Sequence, residues 1–352
     1  MMRPGAGSLS FGSTPDPSSG SPKSRGWSLA PNHGPLASPK PHSFRRRGLR
    51  FHSRLRGSSA SRAAHPAQPT SGEMVSLEDV RQASLLGALL LDLAINWVGW
   101  AVATAMKTEK FYDITGSFSY IAVAIGTFVL GGAGLGRRVR PAILTGMVVL
   151  WAMRLGSFLL VRVIRDKGDA RFDEAKKNPL VFFVYWTLQA IWVWVTACPA
   201  MIVNGSSHDP ALCWLDFVGM AIWAAGLAVE TAADVQKFIF RSKPENHKKF
   251  IETGLWRYSR HPNYFGEMVL WGGAFLVAAP ALQGWQWACV GSPCFVIFLL
   301  SKVSGVPILE KAADKKWAGN EEYQRYKQST SCVVLMPKKH VYSSELLEST
   351  SE

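Results

Sequence analysis

Between Ser84 and Val303 the chain carries a succession of apolar runs, several of them close to the ~20 residues that an α-helix needs to cross ~30 Å of hydrocarbon. Inside lipid every backbone amide and carbonyl must be paired within the segment itself, so runs of this kind form helices. The pattern predicts an all-α, polytopic integral membrane helical bundle with about seven transmembrane helices, near 84–106, 116–133, 141–164, 180–203, 213–235, 264–280 and 285–303. An ordinary soluble domain is excluded, because no core of this size would absorb so many continuous apolar faces.

Charge refines the picture. The chain has 39 Lys and Arg against 25 Asp and Glu, but residues 1–72 alone hold 11 of the basic residues and one acid, Asp16. The surplus of +14 is therefore mostly a tail, and no nucleic-acid-binding face is implied. Rich in Ser, Pro, Gly and Arg, this leader cannot form a core. It has the composition of a plastid or mitochondrial transit peptide and lacks the apolar stretch of a secretory signal. A plastid or mitochondrial membrane is favoured over the endoplasmic reticulum. Loops 165–179 and 236–263 are rich in Lys and Arg while 204–212 and 280–284 have none, which places the carboxyl terminus on the inner side. Arg137, Arg138 and Arg140 are the one discordant cluster.

Polar residues inside the spans need partners, since a charged side chain at the centre of a spanning helix costs ~2.5–3.5 kcal/mol even on insertion scales. Asp92 and Asn96 lie one turn apart, Arg154 and Arg165 share a helix face, and Gln189 sits inside the fourth run. The simplest pairing for these is a structural one such as Asp92 with Arg154; together they suggest a polar chamber. Glu230, Asp234, Lys237 and Arg241 recur at spacings of four, three and four along one face of the fifth helix. That stripe is either an ion-pair ladder on a solvated helix end or a set of contacts for a polar ligand.

The run Tyr258-Ser259-Arg260-His261-Pro262-Asn263-Tyr264-Phe265-Gly266-Glu267 is the densest polar-aromatic stretch. Pro262 suits the first turn of a helix, which sets Arg260 and His261 at a helix amino terminus, where dipole and unpaired amides favour phosphate. Asn263 and Glu267 then face the same way. After the Gly305-Val306-Pro307 break, an amphipathic stretch carries Trp317, Tyr323 and Tyr326, residues that either anchor an interfacial helix or cap a nucleotide. Gly131–Gly136 is glycine-rich without Rossmann spacing, and the five cysteines have no paired spacing, so no metal is expected. Asn204-Gly205-Ser206 has the spacing of a glycosylation acceptor.

From about Asp216 to Pro337 the chain resembles the carboxyl-terminal domain of the steroid 5-alpha-reductase group, closest to an uncharacterised branch. The likeness rests on Ala233-Asp234-Val235-Gln236-Lys237, on the 258–267 run, and on Ser304-Gly305-Val306-Pro307-Ile308-Leu309-Glu310-Lys311. It continues more weakly upstream through Arg154-Leu155-Gly156 and Asp169-Ala170-Arg171-Phe172. The resemblance implies a membrane enzyme that uses NADPH to reduce a carbon-carbon double bond in a lipid-like substrate entering from the bilayer. It implies a cofactor pocket that uses Asp234, Lys237 or Arg241, Asn263, Tyr264 and Glu267, with Arg260 and His261 matching the sterol-reductase version of the motif, although Glu230 stands where steroid reductases typically place Asn. Read with the polar residues above, the candidate cofactor set is Glu230, Asp234, Lys237, Arg241, Tyr258, Arg260, His261, Asn263, Tyr323 and Tyr326, and Tyr264 and Glu267 are the catalytic candidates. For the grip on the substrate carbonyl, where charge would gather, Tyr112 and Asp113, with Tyr120 beyond them, are the nearest candidates in the amino-terminal half.

Two other classes share part of this signal. Membrane methyltransferases of the isoprenylcysteine carboxyl methyltransferase type carry a similar Arg-His-Pro-x-Tyr motif that holds S-adenosylmethionine. A non-catalytic lipid-binding protein would retain the bundle without the chemistry. The reading divides the chain into a leader (1–75), amino-terminal substrate helices (76–212), a cofactor half (213–337) and a tail (338–352).

Overall fold

The computed structural model describes residues 77–131, 139–166, 168 and 172–339. The predicted leader, Arg137 and Arg138, the glycine run after Gly131, Lys167, 169–171 and the tail beyond 339 lie outside the described residues. Among the described residues the structure is helical and has no strand, with seven segments long and apolar enough to cross a membrane. The helices are α1 (Leu77–Met106), α2 (Tyr112–Gly131), α3 (Val139–Asp166), α4 (Pro179–Gly205), α5 (Trp214–Ser242), α6 (Pro262–Ala278), α7 (Gly291–Phe298), α8 (Val306–Lys316) and α9 (Glu321–Ser329).

Helix starts follow local chemistry. Asn178 accepts from the Leu180 and Val181 amides ahead of Pro179 at the head of α4, and Asp216 accepts from the Cys213 amide at the head of α5. α5 runs on to Ser242, well past the apolar stretch that ends near 235, because its polar stripe continues the helix beyond the hydrocarbon. The seventh span differs from a single helix over 285–303. A 3₁₀ segment (Gly284–Val290) leads into α7, which passes into a π-helical turn (Leu299–Val303) before Gly305 and α8. Pro293 in the first turn of α7 has no amide hydrogen to continue a ladder from the segment before it.

One core joins α2, α3, α4, α6 and α7, centred on Tyr120, Trp151, Met201, Leu270, Trp271 and Val296. α5 meets α6 along a seam of glycines. A Cβ on Gly226 would lie 2.6 Å from the Leu270 amide nitrogen, one on Gly266 2.6 Å from that of Glu230, and one on Gly273 2.5 Å from that of Trp223. Small residues at seven-residue spacing let the two backbones touch. The contact sets Glu230 of α5 against the first turns of α6.

Three features raised by the sequence find their place in the structure. Asp92 does not pair with Arg154. Its Oδ1 accepts from Asn96 Nδ2 at 2.8 Å, in a polar knot with Ser119 and Gln189, while Arg154 reaches across to α5. Asn204 is fully buried and donates to Ala124 O, Thr127 Oγ1 and Thr145 Oγ1, so its environment is that of a core residue and not of a glycosylation acceptor. Arg140 is not a loop charge either. Fully buried, it forks onto Asp216 (Nε–Oδ1 2.7 Å, Nη2–Oδ2 3.0 Å) and bonds Asp209 and the Pro210 carbonyl. An arginine neutralised in this way ties α3 to the 206–216 segment, and this accounts for its discord with the charge alternation.

Candidate functional site

Two connected features form where α3, α5 and α6 meet. The deeper is a charge cluster within the spans. Arg154 of α3 donates through Nη1 to Glu230 Oε1 and through Nη2 to Asp234 Oδ2, each at 2.6 Å, and Trp151 Nε1 donates to Glu230 Oε2 at 3.1 Å. One guanidinium therefore bridges the two carboxylates of the α5 stripe, which would otherwise repel at a spacing of four. The ladder to Lys237 and Arg241 does not form, because α3 supplies the partner. Glu267, on α6 and buried, faces the same cluster without a bond to Arg154 among the described residues. The glycine seam brings this third carboxyl there.

One turn beyond Asp234, Lys237 lies 4.3 Å above the Trp256 ring, whose Nε1 donates to Ala233 O. Both residues line a cavity of about 690 Å³ at the carboxyl-terminal end of α5, walled on other sides by α8 and α9. Its cations are Arg165, Lys237, Arg241, Lys249, Arg260 and Lys316, against the single carboxylate of Glu310. Its aromatic wall is Phe250 with Trp317, Tyr323 and Tyr326 at centroid distances of 5.3–5.7 Å. Burial pushes the Tyr323 hydroxyl up to about 12 and raises Tyr326 as well. Both phenols stay protonated as donors, and Tyr326 uses its proton on Trp256 O at 2.7 Å.

The loop before α6 is fastened from behind. Arg260 N bonds Ser331 O, Met336 N bonds Tyr258 O, and Ser259 Oγ donates to Val333 O, so the segment after α9 straps the 258–261 run. The Arg260 side chain is spent on this latch, donating to Lys327 O (2.5 Å), to Thr330 O and to Glu310. His261 Nε2 lies 2.8 Å from Glu310 Oε1, and its ring stacks on Tyr264. His261, Glu310 and Cys332 bring candidate ligand atoms within 4.8 Å of one another. Arg260 and Lys327 already compensate the Glu310 charge, which leaves a cation little to neutralise there.

Of the residues named from sequence, Lys237, Arg241, Arg260, His261, Tyr323 and Tyr326 line the cavity, and Glu230, Asp234 and Glu267 form the deeper cluster. Tyr258, Asn263 and Tyr264 do not line it, and Tyr258 is exposed. Tyr112 donates its hydroxyl to Tyr185 O at 2.9 Å and packs on Phe172 and Trp186, while Asp113 pairs with Arg162. Tyr112 belongs to a packing cluster of the amino-terminal half, whereas Asp113 is held by Arg162 of α3, whose charge acts on Asp234 and Lys237. Sequence reasoning did not assign Arg154, Arg165, Lys249, Phe250, Glu310 or Lys316 to the site, and it left Trp317 as either an interfacial anchor or a nucleotide cap. Arg154 and Arg165 were visible as polar residues on one helix face, but nothing in the chain said which helix that face meets.

Residues 99–330 match the model of a family described as a protein of unknown function, DUF1295. Among curated proteins, an uncharacterized protein of Schizosaccharomyces pombe is 23% identical over 229 residues, 56% of this chain and 66% of that protein. The 3-oxo-5-alpha-steroid 4-dehydrogenase 1 of Bos taurus is 34% identical over 70 residues, 20% of this chain and 27% of that protein. The chain thus spans at most about two thirds of the length of these relatives. No solved structure matches it.

Proposed function

Because the chain belongs to the DUF1295 family, which is steroid 5-alpha-reductase-like, we propose that it is a membrane oxidoreductase that reduces a carbon-carbon double bond of a lipid-like substrate with NADPH. The observation that carries this reading is the basic, aromatic-walled cavity adjoining a buried carboxyl cluster. At about 690 Å³ it falls within the ~300–1,000 Å³ of small-molecule sites. Its cations suit phosphates, its aromatic wall suits flat heterocycles, and its donor set therefore fits a phosphorylated dinucleotide.

The chemistry that NADPH would supply there is a hydride for one carbon of the double bond, with a proton going to the other. The chain's own residues have separable tasks. Lys237, Arg241, Lys249 and Lys316 hold phosphate charge, and Phe250, Trp317 and Tyr323 offer faces for stacking. Arg154 holds Glu230 and Asp234 in place and leaves Glu267, the carboxyl it does not bond, to hold or move a proton at Oε. The packed Trp151, Trp271 and Tyr120 rings beside the cluster exclude water. The substrate enters from the bilayer through the spans, in a plastid or mitochondrial membrane.

The methyltransferase reading is disfavoured by charge, because the sulfonium of S-adenosylmethionine would face six cations and one carboxylate. A lipid-binding protein without chemistry would have no use for three acidic side chains buried against one arginine. The test is ligand-induced stabilisation of the detergent-purified protein. NADPH should raise the midpoint of thermal unfolding and S-adenosylmethionine should not, and the reverse result would move the assignment to methyl transfer. Lipid profiling of a knockout should then show an unsaturated precursor accumulating.

A further inference from the structure

α5 turns its glycine seam toward α6, and a second row of residues runs along its opposite side. At about 3.6 residues per turn, Phe217, Ala221, Ala225, Ala228, Val235 and Ile239 share that outer row, and all six are exposed. The row ends on a cleft of about 300 Å³ lined by Gln236, Ile239, Lys243, Asn246 and Thr253 among others. The cleft adjoins the large basic cavity across Phe240 and Asn246, which line both. Ile239 belongs to the apolar row and to the cleft, and Lys243, one turn further, ends the row with a charge.

The chemistry of the cleft suits one negative charge. Lys243 is its only charged lining residue, is exposed, and makes no salt bridge among the described residues. Around it stand uncharged hydrogen-bonding groups. Gln236 gives its Oε1 to the Leu255 amide at 2.9 Å, which leaves its Nε2 hydrogens to donate. Asn246 spends its Nδ2 on the Phe240 carbonyl at 3.0 Å, which leaves its Oδ1 to accept. Gly254, at φ +62°, lets the turn after Thr253 press on Gln236, where a Cβ would lie 2.5 Å from Oε1.

From Ala228 to Ile239 the row climbs about 16 Å along the helix. That is close to half of the ~30 Å hydrocarbon core, the depth of one leaflet. An acyl chain lying on the row therefore brings its headgroup to Lys243. We propose that the cleft is a headgroup site for an anionic glycerophospholipid, with an acyl chain along the outer row of α5. The phosphate meets Lys243 and Gln236, and headgroup hydroxyls meet Asn246. A zwitterionic lipid is disfavoured, because no carboxylate lines the cleft to receive its ammonium. The lipid is a bound partner and not a substrate, since the row lies on the side of α5 away from Glu230. The assignment does not depend on the dinucleotide reading.

The experiment offers dioleoyl phosphatidylglycerol or dioleoyl phosphatidylcholine to the full-length, delipidated protein in detergent and counts bound lipid by native mass spectrometry. Wild type should retain phosphatidylglycerol with about fivefold preference, the contribution of one lysine at a membrane surface. Lys243→Gln should abolish the preference without lowering the thermal midpoint, because the side chain is exposed. Ile239→Asn, which interrupts the apolar row at the cleft, should weaken phosphatidylglycerol retention. Lys316→Gln removes a cation of the large cavity alone and should keep the preference. A preference that survives in Lys243→Gln overturns the assignment, and its loss in Lys316→Gln instead would put the headgroup in the larger cavity. Equal retention of the two lipids by wild type overturns it too, as the mark of an unselective lipid layer. So does Lys243-dependent binding of soluble glycerol phosphate as tight as that of the lipid, which would make the ligand a free anion.

Discussion

Gly272 and Gly273 are neighbours on α6 and should respond in opposite ways to the same added methyl. A Cβ on Gly273 would lie 2.5 Å from Trp223 N, 2.7 Å from Gly219 O and 2.9 Å from Trp223 Cα. All three are backbone atoms of α5 and have no rotamer by which to withdraw. Optimal carbon contacts are ~3.5–4.0 Å, so α5 and α6 must part locally by roughly 1 Å. Overpacking of this kind costs about 1–3 kcal/mol. The better helix propensity of alanine returns ~1 kcal/mol. At Gly272 a Cβ would meet nothing within 4 Å, so only the propensity gain remains. The difference between the two variants therefore isolates the steric term at about 1–3 kcal/mol, which at ~2–4 °C per kcal/mol separates their unfolding midpoints by roughly 2–12 °C. Tryptophan fluorescence of detergent-purified protein on heating is a direct readout, since Trp223 sits at the contact. If Gly273→Ala and Gly272→Ala unfold at the same temperature, the close backbone approach of α5 to α6 is wrong, and so is the account of how Glu230 comes to face Glu267.

Gly266→Ala, with its Cβ 2.6 Å from the Glu230 amide nitrogen, should weaken NADPH binding as well as stability, and a variant that loses stability alone would disconnect the seam from the site. Arg140→Ala leaves Asp216 buried without its guanidinium and should cost ~3–5 kcal/mol, seen as a lower thermal midpoint or lost expression; adding Asp216→Asn should recover part of it. Because the folded His261 pKa is lowered from 6.5 by burial, the unfolded chain binds the proton more readily. Its contribution to stability is full above about pH 6.5 and is lost as the pH falls from there through the folded value. Thermal midpoints of wild type should drop more than those of His261→Gln between pH 7 and 5, and identical slopes would count against a buried neutral imidazole. Glu267→Gln should retain NADPH binding while double-bond reduction falls at least tenfold, and unchanged turnover would remove Glu267 from proton transfer.

The bundle was legible from composition alone because hydrocarbon leaves the backbone one way to pair its amides, and each span is encoded by its own residues. The strong punctuation was local too: Pro262 at the head of α6 and the polar continuation of α5 to Ser242 follow from spacing and from side-chain chemistry within one helix. The sequence could also say that Glu230, Asp234 and Arg154 are misplaced in lipid and must find partners. It could not say which partners, since a lone charged residue is compatible with any neighbour that arrives. Assembly decided that Arg154 takes both α5 carboxylates while Asp92 turns to Asn96, that Arg140 is a buried clamp and not an inner-side charge, and that Tyr112 spends its hydroxyl on a backbone carbonyl. It also decided that Arg260 fastens a strap, while lysines of α5, α8 and the loop between α5 and α6 line the cavity. Periodicity fixes what each helix offers. Which offer is taken depends on how closely two helices approach, and here that distance is set by glycines whose only signal in the chain is the absence of a side chain.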